Sequence, residues 1–98
     1  MNQQMINRLR KMQQEMMDAE KRLNETIFTG SAGGGLVKLE VYGSREIKSV
    51  NINPEILNPE DKELIEDAIM AALNDAFNQI DDETEEVMAP YKSLTGMF

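Results

Sequence analysis

Residues 36–52, LVKLEVYGSREIKSVNI, carry the pattern from which the fold can be worked out. From Val37 to Tyr42, apolar side chains alternate strictly with side chains that tolerate water. That alternation is typical of an antiparallel strand with one buried face and one wetter face. The side chains predicted to lie on the buried face are Val37, Leu39 and Val41.

The remainder of this stretch predicts a hairpin partner for that strand. Gly43-Ser44 suits a two-residue turn of the type that needs glycine first. Residues 46–52 then supply the second strand, but the alternation slips between Ile47 and Val50. We therefore predict a β-bulge near Lys48-Ser49.

A third strand is predicted upstream, where residues 26–29 (TIFT) are rich in β-formers. A glycine-rich loop follows at residues 30–35 (GSAGGG). Loops that cradle phosphates lead into a helix, whereas this one leads into a strand, so nucleotide binding is rejected and a hairpin connection is favoured. The sequence thus predicts a three-stranded antiparallel sheet over residues 26–53.

Residues 2–25 contain no glycine or proline and are predicted to form a helix. Its apolar side chains are spaced alternately four and three residues apart, which is the heptad period of paired helices. Several of them are methionines, whose flexible side chains make an adaptable seam. The seam consists of Met5, Leu9, Met12, Met16, Ala19 and Leu23.

A second helix is predicted over residues 58–89. Asn58 is suited to the N-cap and Pro59 to the first helical position, and acidic residues follow in the first turn. Pro90 stops the helix. The remaining residues, 90–98, are predicted to be a flexible tail.

These elements make one α+β domain over residues 1–98, in the order α-β-β-β-α. Two helices of this length do not fit a compact globule of fewer than 100 residues, for which the radius of gyration is about 13 Å. We therefore expect a tight homodimer in which a second copy covers the apolar seam. The candidate interface residues are Met5, Leu9, Met12, Met16, Leu23, Val37, Leu39 and Val41.

The composition argues against an enzyme. The chain has neither histidine nor cysteine, so the commonest general base and the commonest zinc ligands are missing. We expect no catalytic residues, no metal site and no cofactor, although weak association of Mg²⁺ with the acidic run at residues 81–86 stays open. Without a signal peptide or a membrane-spanning apolar run, a cytoplasmic location is expected.

Charge divides the chain into unlike halves. Residues 1–53 carry a net charge of +2 and residues 54–98 carry −10, so only the first half could attract a polyanion. From residue types alone, solvated charge is the more ordinary interpretation, because carboxylates interleave with the first-helix cations. The candidate phosphate-binding residues are Arg8, Arg10, Lys11, Lys21, Arg22, Lys38, Arg45 and Lys48.

Several blocks of this sequence resemble the YbaB/EbfC family of bacterial nucleoid-associated proteins. Residues 33–43 (GGGLVKLEVYG) are similar to the family's GxGLVKVTVNG-like core, and residues 47–57 to its strand followed by I-D-P-x-x-L. Residues 66–76 (EDAIMAALNDA) are similar to its second-helix motif. Lys11-Met12-Gln13-Gln14 and the terminal Gly96-Met97-Phe98 also agree. Asn53 departs from the usual aspartate, and the tail is short.

The resemblance implies a homodimeric DNA-binding protein of the bacterial nucleoid, with helices that project like arms around a joined β region. It implies a role in chromosome organisation or gene regulation, and binding largely through phosphate contacts. A second hypothesis stays open: a dimeric protein–protein adaptor for recombination or replication machinery with little affinity for DNA. The soft methionine-rich seam would suit varied protein partners.

Overall fold

The computed structural model describes residues 2–95 and shows an α+β protein with a three-stranded sheet and long helices, as predicted. Short 3₁₀ turns lie at Pro54–Ile56, Pro59–Asp61 and Ala89–Tyr91. The α-helices and strands, in chain order, are α1 (Gln3–Glu25), β1 (Ile27–Ala32), β2 (Val37–Tyr42), β3 (Ile47–Ile52), α2 (Lys62–Met88) and α3 (Lys92–Thr95).

The sheet is antiparallel with the order β1-β2-β3, and α2 packs across the face formed by β1 and β2. The alternation predicted for β2 is confirmed, because Val37, Leu39 and Val41 are all buried on that face. Small side chains of α2, Ala72 and Ala76, lie fully buried opposite them and let the helix approach closely.

Burial inside a single chain corrects part of the predicted dimer interface. Leu23, Val37, Leu39 and Val41 are each covered by other elements of their own protomer. They have almost no surface left for a second copy, because the seam ends against α2 and the inner face of β2 is covered by the same helix. These four residues belong to the core of the protomer instead.

The predicted bulge is confirmed, and the turn beside it differs from the prediction. Glu40 is paired with Ser49 and Val41 with Ile47, so Lys48 is the extra residue. In the turn, the Arg45 amide donates to the Tyr42 carbonyl over 2.8 Å, and Arg45 itself has φ +75°. The turn is therefore a three-residue loop that ends in a left-handed residue, rather than a two-residue turn that needs Gly43.

Strand β1 extends further than predicted. Gly30, Ser31 and Ala32 pair with Leu39, Lys38 and Val37, so half of the predicted loop is strand. Glycine is required at position 30 for space, because a Cβ there would overlap the carbonyl oxygen of Ala72. The turn proper contains Gly33, Gly34 and Gly35, all with positive φ.

The second half of the chain is also more helical than predicted. A 3₁₀ turn at Pro59–Asp61 precedes α2, so Asn58 occupies the N-cap position of this turn and Asp61 that of α2, and neither side chain makes a capping hydrogen bond. Where a flexible tail was predicted over residues 90–98, the chain continues as a 3₁₀ turn and α3, and Leu94 is buried. Pro90 is compatible with this because it occupies the first turn, where no amide is needed. Gly96, Met97 and Phe98 lie outside the described residues.

Candidate nucleic-acid interface

The first four turns of α1 contain no fully buried side chain, although Ile6, Leu9, Met12 and Met16 are half-buried. The molecule measures 69 × 19 × 18 Å, so it is strongly elongated. In α1, Ala19 and Leu23 are the buried residues, and no side chain of residues 3–18 is buried. We refer to residues 3–18 as the arm. Its cations are accessible from several directions, as a ligand as large as DNA would require.

The outer half of α1 carries positive charge without any carboxylate. Residues 2–14 include Arg8, Arg10 and Lys11, all exposed, and no aspartate or glutamate. Asn2 caps the helix by accepting a hydrogen bond from the Met5 amide at 2.8 Å. No acid lies in the first turn, so no side-chain charge offsets the positive end of the helix dipole. We refer to residues 2–14 as the arm tip.

The inner half of α1 is different, because its cations have acidic neighbours. Lys21 and Glu25 are four residues apart, as are Asp18 and Arg22, which places each pair side by side on the helix surface. Glu15 and Glu20 add two more negative charges. Segment 15–25 therefore has a net charge of −2, so Lys21 and Arg22 lie in a less positive setting than the cations of residues 2–14.

The predicted cations of the sheet and hairpin fall into two groups. Lys38 is exposed on the outer face of the sheet, without a carboxylate partner among residues 2–95. Lys48 lies 3.8 Å from the Glu40 carboxylate, at the bulge. Arg45 forms an ion pair with Asp81 of α2. Arg45 and Lys48 are thus held by carboxylates of their own chain, and the eight candidates do not form one continuous patch.

Some of the acidic residues of α2 have structural partners. The Asp75 carboxylate accepts a hydrogen bond from the Ser31 amide at 3.0 Å, and Gln79 donates to the Thr29 carbonyl at 2.9 Å. These two side chains therefore form hydrogen bonds with backbone groups on the outer edge of β1. Within the part of the chain that is described, no three His, Cys, Asp or Glu residues are grouped so that they could hold a metal ion.

An apolar face beside α2 was missed by the sequence reasoning. Val50 is paired with Leu39 and Ile47 with Val41, so both point to the same face as the core. Because α2 lies over β1 and β2, Val50 stays 53% exposed and Ile47 48% exposed. Met70 of α2 is exposed as well, and Phe77 is half-buried. The slipped alternation of β3 was the signal in the sequence, since it places Ile47 and Val50 on the inner face of the sheet.

Asn53 was the one motif residue that departed from the family pattern. Its side-chain oxygen accepts a hydrogen bond from the Glu55 amide at 2.9 Å and caps the 3₁₀ turn that follows β3. An aspartate oxygen can do the same, so the exchange preserves the local structure.

Comparison with known proteins gives a consistent result. Residues 1–96 match the YbaB/EbfC DNA-binding family. A nucleoid-associated protein of Clostridium novyi is 41% identical over 92 residues, which cover 94% of this chain and 78% of the relative. One from Xylella fastidiosa is 45% identical, with 87% and 78% covered. One from Chloroflexus aurantiacus is 37% identical over the full length of both chains.

A solved structure is also similar. An uncharacterized protein of Helicobacter pylori superposes with a TM-score of 0.76 at 28% sequence identity, and the match covers 93% of this chain and 97% of the other. The α-β-β-β-α architecture is therefore shared with an experimentally determined protein. None of the helices in residues 2–95 has the length and hydropathy needed to cross a bilayer.

Proposed function

The chain belongs to the YbaB/EbfC DNA-binding family, and on that basis we propose that it binds DNA through its arm tip. It is a DNA-binding, nucleoid-associated protein, as its relatives are named. In this proposal Arg8, Arg10 and Lys11 bind backbone phosphates. The family is one of DNA-binding proteins, and the adaptor hypothesis is not favoured.

The distribution of charge on α1 is the main support for this proposal. The arm tip combines three exposed cations with no carboxylate, whereas residues 54–98 repel DNA with a net charge of −10. A polyanion is therefore attracted to the end of the arm and repelled by α2. Contacts of this kind supply affinity and salt dependence but little choice of sequence.

The proposal includes a homodimer, formed through the inner face of β3. Ile47 and Val50 border α2 on a strip of sheet that a second helix could cover. In a two-fold dimer, α2 of the second copy would lie on this strip, next to α2 of the first. Met70 and Phe77 on the flank of α2 would then be covered together with Val50.

Dimerisation doubles the number of cations that one DNA molecule can meet. Two arm tips carry six positive side chains, which is comparable with the number of phosphate contacts made by DNA-binding proteins of moderate affinity. A protein that binds in this way can organise the chromosome or influence transcription without recognising one sequence.

The test is DNA binding by a triple variant, Arg8→Gln with Arg10→Gln and Lys11→Gln, measured by fluorescence anisotropy across a salt series. Each phosphate contact contributes about 0.9 to the slope of log K against log salt concentration. The variant should lose affinity for all sequences alike, and its slope should fall.

The matched control is the double variant Lys21→Gln with Arg22→Gln, which removes cations from the inner half of the same helix. It should retain most of the affinity and most of the slope. A triple variant that binds like the unmodified protein, or a double variant that loses as much, would exclude the arm tip as the DNA site.

A further inference from the structure

Arg45 occupies a backbone position that favours a different residue type. It is the one non-glycine residue among those described with a positive φ, at +75°. The last residue of a three-residue hairpin loop is normally glycine or asparagine, because a Cβ is unfavourable in the left-handed region. An arginine here indicates that its side chain has a role that outweighs the backbone cost.

The Arg45 side chain spans the gap between the hairpin and α2. Its guanidinium forms an ion pair with the Asp81 carboxylate and lies 5.1 Å from the centre of the Phe77 ring. Asp81 and Phe77 are one turn apart on α2, so both contacts hold the arginine on the same side of that helix. The hairpin is thereby attached to the helix at its tip.

The same hairpin holds the end of α1. The Gly43 amide donates to the Thr26 carbonyl at 2.8 Å, and the Ser44 amide donates to the Asn24 carbonyl at 3.3 Å. The Cα of Gly43 lies against the Leu23 carbonyl, where a Cβ would overlap it. The last turn of α1 is therefore fixed to the turn that Arg45 anchors.

Side-chain packing at this junction is sparse. Ala19 and Leu23 are the α1 residues buried against the rest of the protein, and a pocket lies on each side of Leu23. The pocket between α1, the hairpin and α2 has a volume of about 260 Å³ and is lined in part by Arg45, Leu23 and Thr84. The polar contacts of the hairpin therefore add to the packing of Ala19 and Leu23 in fixing the angle of the arm.

We infer that Arg45 is a positioning residue, which sets the direction of the arm by clamping the hairpin to Asp81 and Phe77 of α2. It acts on DNA binding through the arm and does not bind phosphate itself. This inference rests on the proposed role of the arm tip, but the direction of the arm can be measured without DNA.

The two roles of Arg45 predict opposite effects for Asp81→Asn. If Arg45 bound phosphate, loss of the Asp81 charge would release the guanidinium and remove a repulsive group, so DNA affinity would rise. If Arg45 positions the arm, the same change loosens the hairpin and lowers affinity despite the loss of a negative charge. Asp82→Asn is the matched control, since it removes one charge from the neighbouring exposed residue.

Arm direction and DNA affinity can both be measured in the full chain. The chain has no cysteine, so Gln13→Cys on the arm and Asn51→Cys on the sheet can carry two spin labels. Labelled chains are diluted into an excess of unlabelled protein, so that electron–electron resonance reports the distance within one chain. Circular dichroism confirms that each variant remains folded.

We expect Asp81→Asn and Arg45→Gln at least to double the width of the distance distribution, and Asp82→Asn to leave it unchanged. Asp81→Asn should also weaken DNA binding at least threefold, whereas Asp82→Asn should not weaken it. An unchanged distribution in Asp81→Asn, or DNA binding at least as strong as that of Asp82→Asn, would overturn the inference. If the arm-tip variant still binds DNA, the proposed function fails while the distance measurement decides the role of Arg45 separately.

Discussion

The backbone of Gly30 lies directly against the carbonyl oxygen of Ala72, with no room for a Cβ between them. This contact brings α2 onto β1, and a Cβ at position 30 would also lie 2.9 Å from the Ala76 Cβ. The obstacle is backbone and a methyl group, neither of which can move aside as a long side chain could. The approach of α2 to the sheet therefore depends on one hydrogen atom at position 30.

We predict that Gly30→Ala lowers the free energy of unfolding by about 3 kcal/mol, because α2 must shift outward and its packing on β2 is loosened. Urea unfolding followed by circular dichroism measures this. The comparison is Gly34→Ala, where the space is open but φ is +68°, so the cost should be only about 1 kcal/mol. Equal losses in the two variants would show that α2 adapts to the methyl group.

Leu39→Ala should destabilise each protomer by about 3 kcal/mol, because Leu39 is fully buried between the sheet and α2. The loss should appear at every protein concentration in chemical unfolding. An effect that disappeared on dilution would place Leu39 in the interface between copies, as the sequence alone suggested.

Val50→Glu should convert the proposed dimer into monomers at micromolar concentration, because a carboxylate on the inner face of β3 would be buried there without a partner. The protomer should remain folded, since Val50 is exposed within one chain. Sedimentation velocity measures the change. Asn51→Glu puts the same charge on the opposite face of the strand and should remain dimeric. A dimeric Val50→Glu would exclude this face as the interface.

Asp75→Ala should lower stability by about 1 kcal/mol and speed hydrogen exchange at the Ser31 amide, because that amide loses its acceptor on the outer edge of β1. Amide exchange followed by NMR provides the measurement. Asn74→Ala, at the adjacent exposed position, should leave Ser31 protected. Unchanged protection of Ser31 in Asp75→Ala would mean that water replaces the carboxylate without loss.

Much of the architecture could be predicted because it depends on local periodicity. The alternation of Val37, Leu39 and Val41 identified the buried face of β2, and the slipped alternation of β3 identified the bulge at Lys48. Both signals depend on neighbours a few residues away, which the sequence displays directly. The DNA-binding class followed from family resemblance, since residue types alone favoured solvated charge on α1.

The errors lie where a local signal competed with a distant contact. Gly30 was predicted to lie in a loop because of the glycine-rich composition around it. In the structure it lies in β1, where the close approach of α2 requires a residue without a side chain. Gly43 was predicted to be the glycine that a two-residue turn needs first. In the structure Arg45 has the positive φ, and Gly43 makes room for α1. Neither contact can be inferred from residues within a turn's length of the glycine.

The sequence by itself determined the elements, their order and the separation of positive from negative charge, because each depends on residues that are close along the chain. Only the tertiary structure decided which apolar faces are covered within one protomer and which cations form ion pairs with carboxylates of the same chain. Arg45 and Asp81 are 36 residues apart, and their pairing exists because α2 crosses the sheet beside the hairpin. Burial and ion pairing across that distance depend on how the elements pack, so the free arm tip and the exposed face of β3 appear only in the folded chain.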